Sequence, residues 1–577
     1  MKLLFSIGSK NPVSHYINVK LQIQNVHQKR IILLLPRWRP GRYEMGNFSK
    51  NIQNFRAFDS KGKQLLVMKT NTYTWEIFND HSDTNITVEY NYYANEYNAG
   101  ACFVNEDILY FNPVHLLMNI APSEDHQKTQ YTIHLDVPKH YKIVTSLKVS
   151  KNTIISDNYD ELLDSPIVAT PYVQSFTYKI DEYKFHLHHI DLHQKYIDIK
   201  KVKQDFEKFT KQILQFWGTA PFKEYHFILQ SLPYAYYHGV EHLKNTVIVL
   251  GPNHQIMNKL YDELLGVASH ELFHAWNIKT IRPKQMFPYN YYTENYSELG
   301  FIYEGFTTYY GDKLLWQSGV FSTEQFFKCI NERLNRHFLN GGKLSQSLLN
   351  SSIDTWVDGY AQHAPHKKVS IYDEGCIMAM MMDMYLIWKT NKRKSLRDVC
   401  LKLYDNQINN HSPYTLETFI RDFLEFTKDK TDMAFFDSAL FFPNDYLPLF
   451  EKIIDSFGLY VQYTESDNWW EKFFGFKVNE QNDKYCVPQI LIDAPAYSQL
   501  SLNDEIISIN NLPAKDVFTD KNFHAHKILC TINRFHKIKS VELSANKNKT
   551  FYQKLSLHIK EKRTKKEIDL FNHLMKM

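Results

Sequence analysis

The sequence predicts a multidomain α+β protein, and three observations carry that prediction. At 577 residues the chain is too long for one hydrophobic core, since single cores seldom grow past about 250–300 residues. Its hydrophobic period shifts from strand-like to helical near Asp198 and returns to strand and turn character near residue 450. The composition is globular, with 44% apolar, 23% charged and 15% aromatic residues, and it holds neither an internal repeat nor a low-complexity linker. The predicted units are an N-terminal β domain over 1–175, a mainly helical catalytic-type domain over 176–448, a compact module over 449–560 and a tail over 561–577.

The first unit reads as an antiparallel sandwich. Ile17, Val19, Leu21 and Ile23 alternate with polar residues, the period of a half-buried strand. The run Ile31 to Leu35 closes on Pro36 and on a turn signal, Trp38-Arg39-Pro40-Gly41. Tyr73 to Phe78 and Ile86 to Tyr93 are again rich in β-branched and aromatic side chains. In the second unit, Val202, Phe206, Phe209, Ile213 and Phe216 step by four and three, an amphipathic helix. Strand-like runs Tyr225 to Leu229 and Thr246 to Leu250 follow, then a helical pattern from about Met257 to Ile278. Helical patterns dominate to roughly residue 440, among them Phe301 to Leu315 and Gly375 to Trp388. A small sheet followed by helices is an α+β catalytic-type arrangement. The basic run Lys560 to Lys566 reads as a solvated tail.

Charge and targeting signals narrow the function classes. With 67 basic and 63 acidic side chains the net charge is +4, too even to suggest a nucleic-acid or acidic-membrane partner. No stretch approaches the roughly 20 apolar residues of a membrane span. The N-terminal apolar run, Leu3 to Ile7, falls short of the roughly 7–15 residues of a signal peptide, which leads to the expectation of a cytoplasmic protein. Six scattered cysteines without a CxxC pair disfavour a disulfide framework or a thiolate zinc site.

The residues that carry chemistry are His270-Glu271-Leu272-Phe273-His274, an H-E-x-x-H on the predicted helix from 257 to 278. Positions i and i+4 share one helical face, so both imidazoles can reach one cation, and Glu271 beside them can take a proton from a water. In a chain with 26 histidines the pentapeptide alone is not decisive. Its apolar surroundings matter more, because burying these groups without partners costs several kcal/mol. A catalytic zinc needs a third protein ligand. Glu304, one acid in the aromatic run Phe301 to Tyr310, is the candidate, with Asp262, Glu263, Glu294 and Glu298 as competitors in more polar stretches. His186, His188, His189 and His193 resemble a metal tract, although alternation at 186 and 188 fits one face of a strand. Tyr291 to Tyr296 reads as loop or cleft wall, and Cys376 has no histidine spaced to make it a nucleophile.

The segment His270 to Pro283, HELFHAWNIKTIRP, together with Tyr303 to Tyr310 and the N-terminal Pro36 to Tyr43, PRWRPGRY, resembles the glycyl aminopeptidase family of zinc metallopeptidases, a gluzincin type. The match runs along nearly the whole chain in the family's order. It implies a β-sandwich-like N-terminal domain, a thermolysin-like catalytic domain, and a PDZ-like module with Phe474 to Val478 in place of the peptide-binding loop. It further implies one Zn2+ per chain on His270, His274 and Glu304, with Glu271 as general base. His238-Gly239-Val240-Glu241-His242 is similar to the family's G-G-x-E-H, so Glu241 would grip the substrate's free α-ammonium and Gly239 would let backbone approach the peptide. Tyr372-Asp373-Glu374-Gly375 is similar to the family's Y-x-K-G, and Tyr372 would donate to the developing oxyanion. The sequence departs from the family at His238, Glu374 and Thr280.

What the resemblance implies is an aminopeptidase acting on peptides with free N-termini, glycine or alanine first, with a peptide or protein ligand at the PDZ-like module. The rival readings are a zinc endopeptidase in which Glu241 is structural, and an inert peptide-binding scaffold.

Overall fold

The computed structural model describes residues 2–79, 84–121, 129–193, 197–429, 440–520, 523–546 and 549–576. The N-terminal strands form an eight-stranded sheet and two four-stranded sheets. Tyr16–Gln24 is a strand as its alternation predicts, burying Ile17, Val19, Leu21 and Ile23. The large sheet is not purely antiparallel, because its first strand, Lys2–Gly8, runs parallel to Gln130–Asp136. The strand Arg30–Leu34 belongs to a second sheet with Thr74–Phe78, and Leu33, Trp75 and Ile77 share a core with Leu3, Phe5 and Ile7 of the first.

A five-stranded mixed sheet follows, ordered Val173–Ile180, Tyr183–Ile190, Glu224–Ser231, Asn245–Gly251 and, at the edge, Tyr236–Glu241. Side chains alternate across it. Phe185, Leu187, Phe227 and Leu229 face the helices, while Ile190, Ile228, Val247 and Val249 pack on Ile108, Tyr110 and Val168 of the N-terminal region. The helix Ile199–Trp217 buries Val202, Phe206, Phe209 and Ile213; Asp198 caps its start by accepting from the Lys201 N–H, and Gly218 ends it at φ +79°.

The helix bearing the H-E-x-x-H spans Tyr261–Phe273, shorter than its apolar pattern suggests. The chain turns directly after it, and Ile278 takes φ +87°. The expected helix from Phe301 instead opens with a wide π turn, Phe301–Phe306, before Thr307–Gln317. The helix Asp373–Lys389 covers the expected stretch Gly375 to Trp388. Residues 430–439 of the expected helical stretch lie outside the described residues.

The C-terminal part divides differently from 449–560 and 561–577. A second sheet has its own core of Trp469, Phe474, Phe476, Ile506, Ile532 and others. The flanking strands Leu459–Thr464 and Lys554–Ile559 pair with each other and bury Leu459, Leu555 and Leu557 in the main core. The expected tail is a helix, Lys565–Lys576. Lys565 and Lys566 are exposed as their charge requires, but Leu570, Phe571 and Leu574 recur at helical spacing and are buried, Phe571 lying 5.9 Å from the Trp316 ring. No helix among the described residues is long and apolar enough to cross a membrane.

Candidate active site

The seven residues singled out by sequence, Gly239, Glu241, His270, Glu271, His274, Glu304 and Tyr372, line one cleft of about 520 Å³. His270 and His274 sit on the last turn of the motif helix, where the His274 N–H still reaches the His270 carbonyl at 3.2 Å. Their Nε2 atoms are 3.0 Å apart. Glu304 Oε2 lies 3.3 Å from His274 Nε2 and 3.7 Å from His270 Nε2. This oxygen is buried and makes no hydrogen bond. Three donors converging on one point around an unsatisfied carboxylate oxygen fit a divalent cation of the zinc class. Of the competitors, Asp262 and Glu263 line the same cleft outside this group, and Glu298 meets Gln285 at the surface.

Two of the three candidate ligands, His274 and Glu304, are held from behind. His274 Nδ1 lies 3.0 Å from the Asn277 carbonyl, which turns Nε2 towards Glu304. The Asn277 amide donates to the Ile302 carbonyl and to Thr307 Oγ1, tying the end of the motif helix to the π turn. Glu304 Oε1 accepts from the Tyr43 hydroxyl at 3.1 Å, across from the N-terminal domain. Gly305 sits against Gly375 so closely that a Cβ on it would lie 2.4 Å from the Gly375 Cα. That contact brings the start of the Asp373–Lys389 helix, and Tyr372 with it, beside Glu304.

The electrostatics follow from three carboxylates buried together. Burial, reinforced by Glu241 and Glu304, raises Glu271 well above the usual carboxylate range. Burial opposes charge on Glu304 as well, but His274 and His270 outweigh it and hold that carboxylate down at about 2. At His274 burial also disfavours charge, and Glu304, Glu241 and Glu271 outweigh it, to about 9. His270 is lowered to about 4 by burial and by His274. Burial, then Glu304, keeps the Tyr372 hydroxyl protonated.

Glu241 ends the edge strand Tyr236–Glu241. The Glu241 side chain is buried and its Oε1 has no hydrogen-bond partner. Gly41, at φ +86° in the Pro36 to Tyr43 turn, lies against it, and a Cβ there would be 2.3 Å from Glu241 Oε2. Gly239 has a further role beyond the one expected. A Cβ on it would fall 2.3 Å from Glu271 Oε1 and 2.6 Å from Val267, so the missing side chain makes room for the Glu271 carboxylate.

Sequence reasoning missed Tyr43, Arg39 and Tyr360. Tyr43 and Arg39 lie in a motif read as a turn and as part of the family resemblance, with no role given to either side chain. Arg39 is buried and acts electrostatically on Glu241. Tyr360, whose Oη lies 3.5 Å from that of Tyr372, has no local signal. The Tyr291 to Tyr296 loop is a domain seam, its Tyr291 carbonyl accepting from the Arg37 N–H. Burial pushes the Cys376 thiol up to about 12, away from any nucleophilic role.

Residues 5–171 match the peptidase M61 N-terminal domain, and residues 263–378 match the M61 glycyl aminopeptidase domain that contains the H-E-x-x-H and Glu304. The chain belongs to the M61 glycyl aminopeptidase family. It is therefore a metallopeptidase, a hydrolase acting on peptides, and the family implies a metal ion. An aminopeptidase N family protein from Idiomarina loihiensis shares the M61 chain's fold over 99% of this chain and 100% of its own, with a TM-score of 0.88 at 24% identity. An M1 zinc metallopeptidase from Deinococcus radiodurans, bound to a Tyr-Ser-Ala substrate, aligns over 76% of this chain and 92% of its own at 12% identity and a TM-score of 0.45. No curated protein matches the M61 chain.

Proposed function

We propose that the chain is a zinc-dependent aminopeptidase that removes small N-terminal residues, glycine or alanine, from peptides. His270, His274 and Glu304 would hold one zinc ion. The observation that carries the aminopeptidase reading is Glu241, a buried carboxylate with an unpaired oxygen where the edge strand ends. A buried carboxylate oxygen without a hydrogen bond is costly even with the charge of Arg39 nearby, and a substrate's α-ammonium would supply one. Gly41 lines the same cleft and its turn lies against Glu241, a narrowing there that argues against an endopeptidase, whose cleft must let the chain run through. The family description, glycyl aminopeptidase, supports the preference for small residues.

Bound at this site, zinc would polarise the scissile carbonyl and make a water easier to deprotonate. Glu271 takes the proton of the attacking water and passes it to the leaving amine; its raised affinity for protons suits it to hold one between the two steps. The Tyr372 hydroxyl donates to the carbonyl oxygen as it gains charge. The edge strand has one free side, and an extended substrate would pair with it as an added strand. The module from Trp469 to Leu543 is read as PDZ-like, a binding unit for a peptide or protein, and the catalytic region as thermolysin-like.

The reading is tested by stripping the enzyme with a chelator and restoring it with zinc, following hydrolysis of glycine and alanine amides. Loss of hydrolysis on stripping and recovery at about one zinc per chain are expected. Hydrolysis indifferent to the chelator would overturn it.

A further inference from the structure

The histidine tract of the five-stranded mixed sheet splits when folded, and part of it gains a new member. His189 turns to the helix-bearing face and meets Ser231 Oγ at 2.8 Å. His186 and His188, two residues apart on Tyr183–Ile190, point to the opposite face, away from the H-E-x-x-H helix. The parallel neighbour Glu224–Ser231 sets His226 directly across from His186. One nitrogen from each of His186, His188 and His226 lies within 4.8 Å of the others, and all three side chains are half-buried.

Their orientation is fixed on both sides. From the antiparallel strand Val173–Ile180, Ser175 and Thr177 stand across from His188 and His186. Ser175 Oγ lies 2.8 Å from His188 Nδ1, and Thr177 Oγ1 lies 3.3 Å from His186 Nδ1. Both rings therefore present Nε2 on the side of the third strand. There His188 Nε2 is 3.1 Å from His226 Nδ1, and His186 Nε2 is 2.8 Å from Glu224 Oε2. Hydroxyls that hold the outer ring nitrogens while the inner ones gather with a carboxylate are the usual support of a metal site. The nitrogen separation is also close to the roughly 3.4 Å between two imidazoles sharing a tetrahedral zinc. The same spacing, 3.0 Å, is found between His270 and His274.

We infer that His186, His188 and His226, with Glu224, form a second site for a borderline divalent cation, zinc being the one that suits three imidazoles and a carboxylate. The rings now lie nearly parallel, within 5° to 12° of one another, so binding takes a rotation about soft side-chain torsions. An ion there adds a side-chain cross-link between two strands that pair in parallel in the sheet. Lys184 Nζ, 3.6 Å from Glu224 Oε2, would give up that pairing as the carboxylate turns to the ion.

Zinc uptake by the metal-stripped full chain, measured by equilibrium dialysis at micromolar free zinc with elemental analysis, tests this. The wild-type chain should take up one equivalent more than His188→Gln and one more than His226→Gln, with amide hydrolysis unchanged in both. The double variant His270→Ala/His274→Ala should lose hydrolysis yet keep one equivalent, and its melting temperature should rise with zinc. That variant keeps the question open to measurement if either glutamine variant fails to fold. Uptake equal to wild type in both glutamine variants, or no zinc on the double variant, would overturn the second site without touching the first.

Discussion

Glu271 is surrounded by two other buried carboxylates, and room for it exists only because residue 239 is glycine. Replacing it with glutamine keeps the volume and removes the proposed base. Glu271→Gln should retain zinc while kcat/KM on alanine amide falls by about 10²–10⁴; metal analysis beside kinetics checks both halves. At this scale the sequence was informative where chemistry is local. His270, Glu271 and His274 follow from helical spacing, and Glu304 stands out as an acid in an aromatic run. The added task of Gly239 was not legible, because a sheet edge and a helix end meet there only in the fold. The third histidine of the second cluster was hidden likewise: strand register joins His226 to His186 across 39 intervening positions.

Two contacts between elements decide where the ligands stand. The first is the approach of Gly305 to Gly375, backbone on backbone, with no flexible side chain to give way. Gly375→Ala should part the two helices, cost about 1–3 kcal/mol or more, and weaken zinc retention with Tyr372 displaced. Urea unfolding and dialysis against a chelator measure the two effects. The second is Asp164, which follows the short helix Tyr159–Leu163. It accepts from Lys279 Nζ at 2.6 Å and from the Leu243 N–H at 2.8 Å, and it lies 3.0 Å from His242 Nδ1. Both neighbours, His242 and Leu243, directly follow Glu241. Lys279 is only 2% exposed, so Asp164→Asn leaves a buried ammonium unpaired and should cost about 3–5 kcal/mol. Burial opposes charge on Asp164, but Lys279 and His242 outweigh it and hold the carboxyl below its usual range. A carboxyl lowered on folding stabilises fully above its unfolded value near 4 and progressively less as pH falls below it. Wild-type stability should therefore decline below about pH 4 by an increment that Asp164→Asn lacks. Helix and strand positions were largely readable from period. The π turn and the early end of the motif helix were not, since both answer to packing against distant segments.

Across the whole molecule, the N-terminal domain is part of the active site. Trp38 donates from its indole to the Asn290 carbonyl at 2.7 Å, anchoring the turn that carries Gly41 and Tyr43. Tyr43→Phe removes a hydrogen bond to a metal ligand and should lower zinc affinity about 10–100-fold, read by competition with a chelator. The sequence separated strand-rich ends from a helical centre, yet it could not show that the last helix returns to the main core. Apolar spacing at Leu570, Phe571 and Leu574 was outweighed there by the basic run before it. The central claim is that a buried carboxylate at the end of the cleft selects a free amino terminus. The direct measurement is kcat/KM for alanine amide against N-acetylalanine amide, in wild type and in Glu241→Gln. Wild type should cleave the free amine alone, and Glu241→Gln should lose about tenfold to a hundredfold on it with zinc content unchanged. Equal cleavage of both substrates by wild type, or an unaltered Glu241→Gln, would contradict the account.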